Sequence, residues 1–211
     1  MKVKGSQVGW GFWLQWVLAS AVGWFVGFFI GFVLSYVPGD VIRSDVLDGI
    51  LGYFILGAAL GSGVSLMQLV VLRGRVSGAG WWVLASTAGL AVAGGGGYGA
   101  AVVAFGYSEG LEDLGSFAAL LGYTLVVALG GAVTGILQWL VLRGQVSRAG
   151  WWVLASTVGW GLSMAVVGAF SVVAAVPGSG LLFGLPVGGA VLGAVTGGAL
   201  IWLLRQPVPE A

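Results

Sequence analysis

Of the 211 residues, 59% are hydrophobic and only 7% are charged, with eight basic and seven acidic side chains for a net charge of +1. Soluble domains are about a quarter charged, so a bilayer has to supply most of this chain's solvent. Cysteine and histidine are absent, which excludes disulfides, thiolate and imidazole metal sites and acid–base chemistry built on His, while the scattered basic residues form no patch for nucleic acid.

Crossing about 30 Å of hydrocarbon takes roughly 20 apolar residues. Six stretches are long enough: residues 8–37, 49–72, 81–107, 114–142, 151–176 and 181–204. The first follows Lys2 and Lys4 like a signal peptide, but its apolar run is about twice an h-region and no A-x-A site closes it, so it reads as a retained helix. Its Gly23, Gly27 and Gly31 have the four-residue spacing that lets helix backbones meet closely in lipid. Pro38, Asp40 and Arg43 then match P-x-[DE]-x-x-[KR], a signature of mitochondrial-type carriers. The corresponding segments 106–112 and 177–180 lack it, so it reads as a turn with flanking charges.

The second span carries Gly57, Gly61 and Gln68 and ends at Arg73, where a helix carboxyl end favours a cation, with Gly74 as the left-handed residue behind it. Ser77 suits an N-cap for the third span, which opens with Trp81 and Trp82. The run Gly94 to Gly97 reads as close packing, with an unwound segment lining a substrate site as the alternative. Glu109, Glu112 and Asp113 make a solvated acidic loop. The fourth span repeats the pattern of the second with Gly131, Gly135 and Gln138, followed by Arg143, Gly144 and Ser147. The fifth opens with Trp151 and Trp152. The sixth carries two rows of glycine, Gly180, Gly184, Gly188 and Gly189, Gly193, Gly197.

Residues 68–89, QLVVLRGRVSGAGWWVLASTAG, recur as residues 138–159, QWLVLRGQVSRAGWWVLASTVG, identical at 17 of 22 positions. A third copy is divided between the ends: residues 16–24, WVLASAVGW, match 152–160, WVLASTVGW, and 196–205 echo 134–143. The fold class expected is therefore an all-α membrane protein, a single domain of six transmembrane helices built from three parallel two-helix hairpins, units 8–73, 77–143 and 147–205. Each unit holds an even number of spans, so the copies share one orientation and a pseudo-threefold axis along the membrane normal is expected. The segment LQWLVLRGQVSRAGWWVLASTVGW resembles a motif of small, Gly-rich, multi-pass bacterial membrane proteins of uncharacterised activity. The resemblance implies a bacterial cytoplasmic membrane and no activity.

Seven of the eight basic residues, Lys2, Lys4, Arg73, Arg75, Arg143, Arg148 and Arg205, fall on one side of such a topology, and six of the seven acids fall on the other. Basic residues in short loops stay cytoplasmic, so both termini are expected there. Nine tryptophans, Trp10, Trp13, Trp16, Trp81, Trp82, Trp139, Trp151, Trp152 and Trp202, are expected in the interfacial belt on that side.

No ionisable residue lies inside a span, which argues against a proton relay or an ion-coupled pump. The polar candidates are amides and hydroxyls. Gln68 and Gln138, five residues before their arginines, are expected to meet Ser86 and Ser156 across each hairpin; together with Ser20 they alternatively form a polar vestibule on the axis. Leu200 in the glutamine position of the third copy weakens a symmetric site. Trp24 and Trp160 fall about 12 Å deeper than the belt. Core packing explains them, with a lipid, quinone or pigment pocket as the alternative and Leu90 standing in the second copy. The function expected first is a non-enzymatic packing or association module with no cofactor, whose partners are the bilayer, itself or another membrane protein. A passive channel or facilitator for a small solute comes second, and lipid, quinone or pigment binding is the remote alternative.

Overall fold

Backbone in hydrocarbon has to satisfy its N–H and C=O groups internally, and the computed structural model, which describes residues 9–38, 44–105, 117–173 and 179–206, does so with six helices. They are α1 (Trp10–Leu34), α2 (Asp45–Leu72), α3 (Ala79–Phe105), α4 (Phe117–Leu142), α5 (Trp151–Val173) and α6 (Ser179–Leu204). Each packs on its neighbours in the chain, α1 closes on α6, and among the described residues no other pair of helices is in contact, so the six make a closed ring. Among the described residues five helices are long and apolar enough to cross a membrane. The described part of α3, with its Gly94 to Gly97 run and paired tryptophans, is not among them.

The glycine rows form the seams of this ring. A Cβ on Gly23 would stand 2.6 Å from Gly63 O, and one on Gly27 would stand 3.0 Å from Leu60 Cα, so α1 and α2 touch backbone to backbone. The same holds for Gly61 of α2 against Ser86 O of α3 at 2.5 Å, and for Gly193 of α6 against Val17 Cα of α1 at 2.7 Å. Small residues therefore do what the hydrophobic effect cannot do between helices in lipid.

Residues 94–97 are continuous α-helix rather than unwound, because Gly94 packs against the Tyr53 carbonyl and Gly95 against Ile50 and Phe54 of α2. Gly74 and Gly144 adopt φ of +78° and +80°, the left-handed conformation expected of them. The serines behind them are not N-caps. Helices α3 and α5 begin two and four residues after Ser77 and Ser147, and Ser77 is instead bound by the other junction: its N–H and Oγ–H both donate to Gln145 Oε1, at 2.8 and 2.7 Å. Gln145 Nε2 returns a bond to Ser77 O. Helix α2 starts at Asp45, earlier than expected, which puts Asp45 and Asp48 in a first turn where the helix dipole favours anions. Lys2, Lys4, Asp40, Arg43, Glu109, Glu112 and Asp113 lie outside the described residues.

Candidate functional site

The interior of the ring is filled at one end and hollow beyond. At the end where the two repeat junctions lie, Trp16, Trp82 and Trp152, one from each odd-numbered helix, meet edge to face with ring centroids 5.1 to 6.4 Å apart. All three are at most 1% exposed, so they face the interior rather than lipid: of the nine expected in the belt, Trp10, Trp81, Trp151 and Trp202 are the exposed ones. The reason is register. In each WW pair the first indole points outward and the second into the ring, and Trp16 has the position of the second. Phe12, Leu72, Leu142, Leu200 and Leu203 complete this apolar layer.

A buried indole N–H needs an acceptor. Trp82 Nε1 donates to Gln68 Oε1 at 3.0 Å, and Trp152 Nε1 donates to Gln138 Oε1 at 2.8 Å. In the third copy Leu200 has no acceptor to offer, and Trp16 Nε1 donates one turn away, to Thr196 Oγ1 at 3.0 Å. The glutamine amides then donate to serines, but to those of the preceding helix and not to Ser86 and Ser156 of the following one as expected. Gln68 Nε2 donates to Ser20 at 3.0 Å and Gln138 Nε2 donates to Ser86 at 2.8 Å, each within its own repeat unit, because the carbonyl end is already held by the indole of the following helix. Each glutamine thus ties three helices together. Ser156, which has no such donor, donates to Gly131 O at 2.8 Å. Gln68, Ser86, Gln138 and Ser156 also border a void of about 20 Å³, the room one water needs.

Trp24 and Trp160 lie past this polar layer, in contact edge to face at 5.6 Å, both 4% exposed. They form the floor of an apolar chamber of about 300 Å³ that runs toward the far ends of the helices, walled by Leu56, Leu90, Val126, Met164 and Leu185 among others. Among the described residues no charged side chain lines it. Tyr53 and Tyr98, stacked at 4.8 Å, stand in its wall. Its volume is about twice that of an engineered void that takes up benzene.

Sequence reasoning offered a lipid, quinone or pigment pocket at Trp24 and Trp160 only as the alternative to core packing, and it did not identify the other walls. The chamber's signals are modest: Leu90 replaces an indole in the second copy, and Ala93, Gly94, Gly97 and Gly130 leave the wall between α3 and α4 without bulk. Among the described residues no group of His, Cys, Asp or Glu is arranged to hold a metal ion. Fold and site together define an all-helical protein, with helices suited to a membrane, whose ring is stoppered by tryptophan at one end and hollow in its other half. Comparison with protein-family models, with curated proteins and with solved structures returns no match for this chain.

Proposed function

We propose that this protein is a non-enzymatic bacterial inner-membrane protein that holds an apolar molecule inside its helix ring. The observation that carries the reading is the chamber of about 300 Å³, which is within the size range of small-molecule sites and has walls that offer nothing to an ion. The channel reading loses support because the axis is stoppered by Trp16, Trp82 and Trp152 over a hydrogen-bonded layer. The association reading loses its main support because Gly23, Gly27, Gly61 and Gly193 all face partners within the chain. The three hairpins are taken to be related by a pseudo-threefold axis through the tryptophan layer. Support comes from the sequence repeat and from the meeting of its equivalent tryptophans at one point.

The test is to fill the chamber. Met164→Phe and Val127→Phe add volume at its wall without adding a polar group. Each is expected to keep or raise thermal stability in detergent while at least halving the apolar material that copurifies with the protein, measured by mass spectrometry of extracts. Unchanged copurifying material, with the variants folded, would remove the reading.

Orientation is proposed from the charge asymmetry, with the junction end cytoplasmic. The chain has no cysteine of its own, so Ser77→Cys and Ser44→Cys report cleanly. A membrane-impermeant maleimide added to intact cells should label Ser44→Cys and spare Ser77→Cys. The reverse pattern would invert the topology.

A further inference from the structure

The chamber does not have equally tight walls. In the junction half, α3 and α4 meet through backbone: a Cβ on Gly89 would stand 2.7 Å from Thr134 Cα. One turn on, a Cβ on Gly130 meets the Cβ of Ala93 at 2.8 Å, and two turns on a Cβ on Gly97 finds, among the described residues, only Val126 Cγ1 at 2.8 Å. Gly96 and Gly122 meet none of the described residues within 4 Å. Two other seams remain in backbone contact in the same half of the ring. Gly31 approaches Leu56 O at 3.0 Å between α1 and α2, and Gly180 approaches Ser171 Cα at 2.6 Å between α5 and α6. Helices α3 and α4 therefore splay, and side-chain tips close the gap. Among the described residues of this seam, Val126 both lines the chamber and is 39% exposed, so it stands in the gap.

Resting on the reading of the chamber as a binding site, we infer that its occupant is a hydrocarbon chain of a bilayer lipid and that the chain enters sideways between the far halves of α3 and α4, past Val126. The chemistry of the walls selects it. A lipid headgroup would find no charged side chain to compensate for its lost hydration, whereas an acyl or prenyl chain exchanges one hydrocarbon surrounding for another. A side entrance flanked by the exposed apolar side chains of Val103, Leu121 and Leu125 opens onto lipid rather than water. The valine moves by rotamer change, so the gate costs no backbone rearrangement.

A disulfide across the seam tests this, since the chain has no other thiol. The Gly97→Cys, Val126→Cys pair falls within bridging reach, given the 2.8 Å between a Gly97 Cβ and Val126 Cγ1. The control pair Phe170→Cys, Gly184→Cys staples α5 to α6, where the corresponding Cβ separation is 3.2 Å. Each protein is reconstituted in phosphatidylcholine vesicles that include a lipid with a diazirine at its acyl terminus, and labelled peptides are mapped after irradiation. With the thiols reduced, label is expected on the chamber residues Trp24, Met164 and Leu185. Oxidation of the seam pair should lower it at least fivefold, and oxidation of the control pair should leave it unchanged. Val126→Ala should load faster and Val126→Trp slower, which gives the answer even where a cysteine pair does not fold. Undiminished label with the seam locked would place the entrance elsewhere and overturn the inference while leaving the chamber reading intact. No label on chamber residues in any folded state would overturn both.

Discussion

Gly27→Leu is expected to abolish the folded state in detergent, while Ala93→Leu, at the equivalent position of the second copy, is expected to be tolerated. A Cβ on Gly27 would stand 2.9 Å from Ala59 O and 3.0 Å from Leu60 Cα, contacts that only helix separation can relieve. Overpacking of this kind costs typically 1 to 3 kcal/mol when side chains can give way and more when the obstacle is backbone. Ala93 instead lines the chamber, where a leucine has room to extend. The repeat alone predicts the same outcome for both residues, so the comparison also tests whether the chamber exists. Thermal unfolding of the two variants decides it, and equal large losses would show that the void is absent from the folded protein.

The second large effect is an asymmetry between two glutamines in identical local sequence. Gln68→Leu removes the acceptor of the Trp82 indole and the donor to Ser20, leaving two buried polar groups unpaired. Such groups cost about 1 to 3 kcal/mol each in water-soluble proteins, although measured hydrogen bonds between membrane helices average nearer 0.6 kcal/mol. One turn earlier on α2 stands Val64, which has nothing to offer. Gln138→Leu differs, because Thr134 occupies that position on α4 and its hydroxyl is buried without a partner. The third copy already combines Leu200 with Thr196 as acceptor for Trp16. Gln138→Leu is therefore expected to destabilise by roughly half as much as Gln68→Leu. Thr134→Val added to it should restore the full loss, and Val64→Thr added to Gln68→Leu should recover part of the stability. Calorimetric or fluorescence melts of the four variants measure this, and equal losses for the two single glutamine variants would refute the threonine exchange.

Those acceptors illustrate what can be read from residues alone. The 17-in-22 repeat identified Gln68 and Gln138 as equivalent, and the lack of ionisable side chains within the spans marked both as structural amides or vestibule residues. Their partners could not be read from it. An amide has two ends, and whether it reaches forward or back depends on which neighbour presents a donor, here the indole of the following helix. The tryptophans make the same point. Composition and spacing assign Trp81 and Trp82 alike to an interface, but adjacent helical residues point about 100° apart. Only the closure of the ring buries the second of them, together with Trp16 and Trp152.

Helices apolar enough for a membrane, the recurrence of residues 68–89 as 138–159, the close-packing glycines and the left-handed Gly74 and Gly144 were legible in the sequence, because each depends on local composition or on a periodicity that a helix converts directly into a face. The tertiary structure alone decided that the six helices close into a ring, that three indoles stopper it, and that an apolar chamber with one loose seam lies behind them. The physical reason is that a void is a property of several walls at once. Gly97, Val126, Met164 and Leu90 are ordinary small or apolar residues in their own helices, and the space between them exists only because α3 and α4 splay while the neighbouring seams remain in backbone contact.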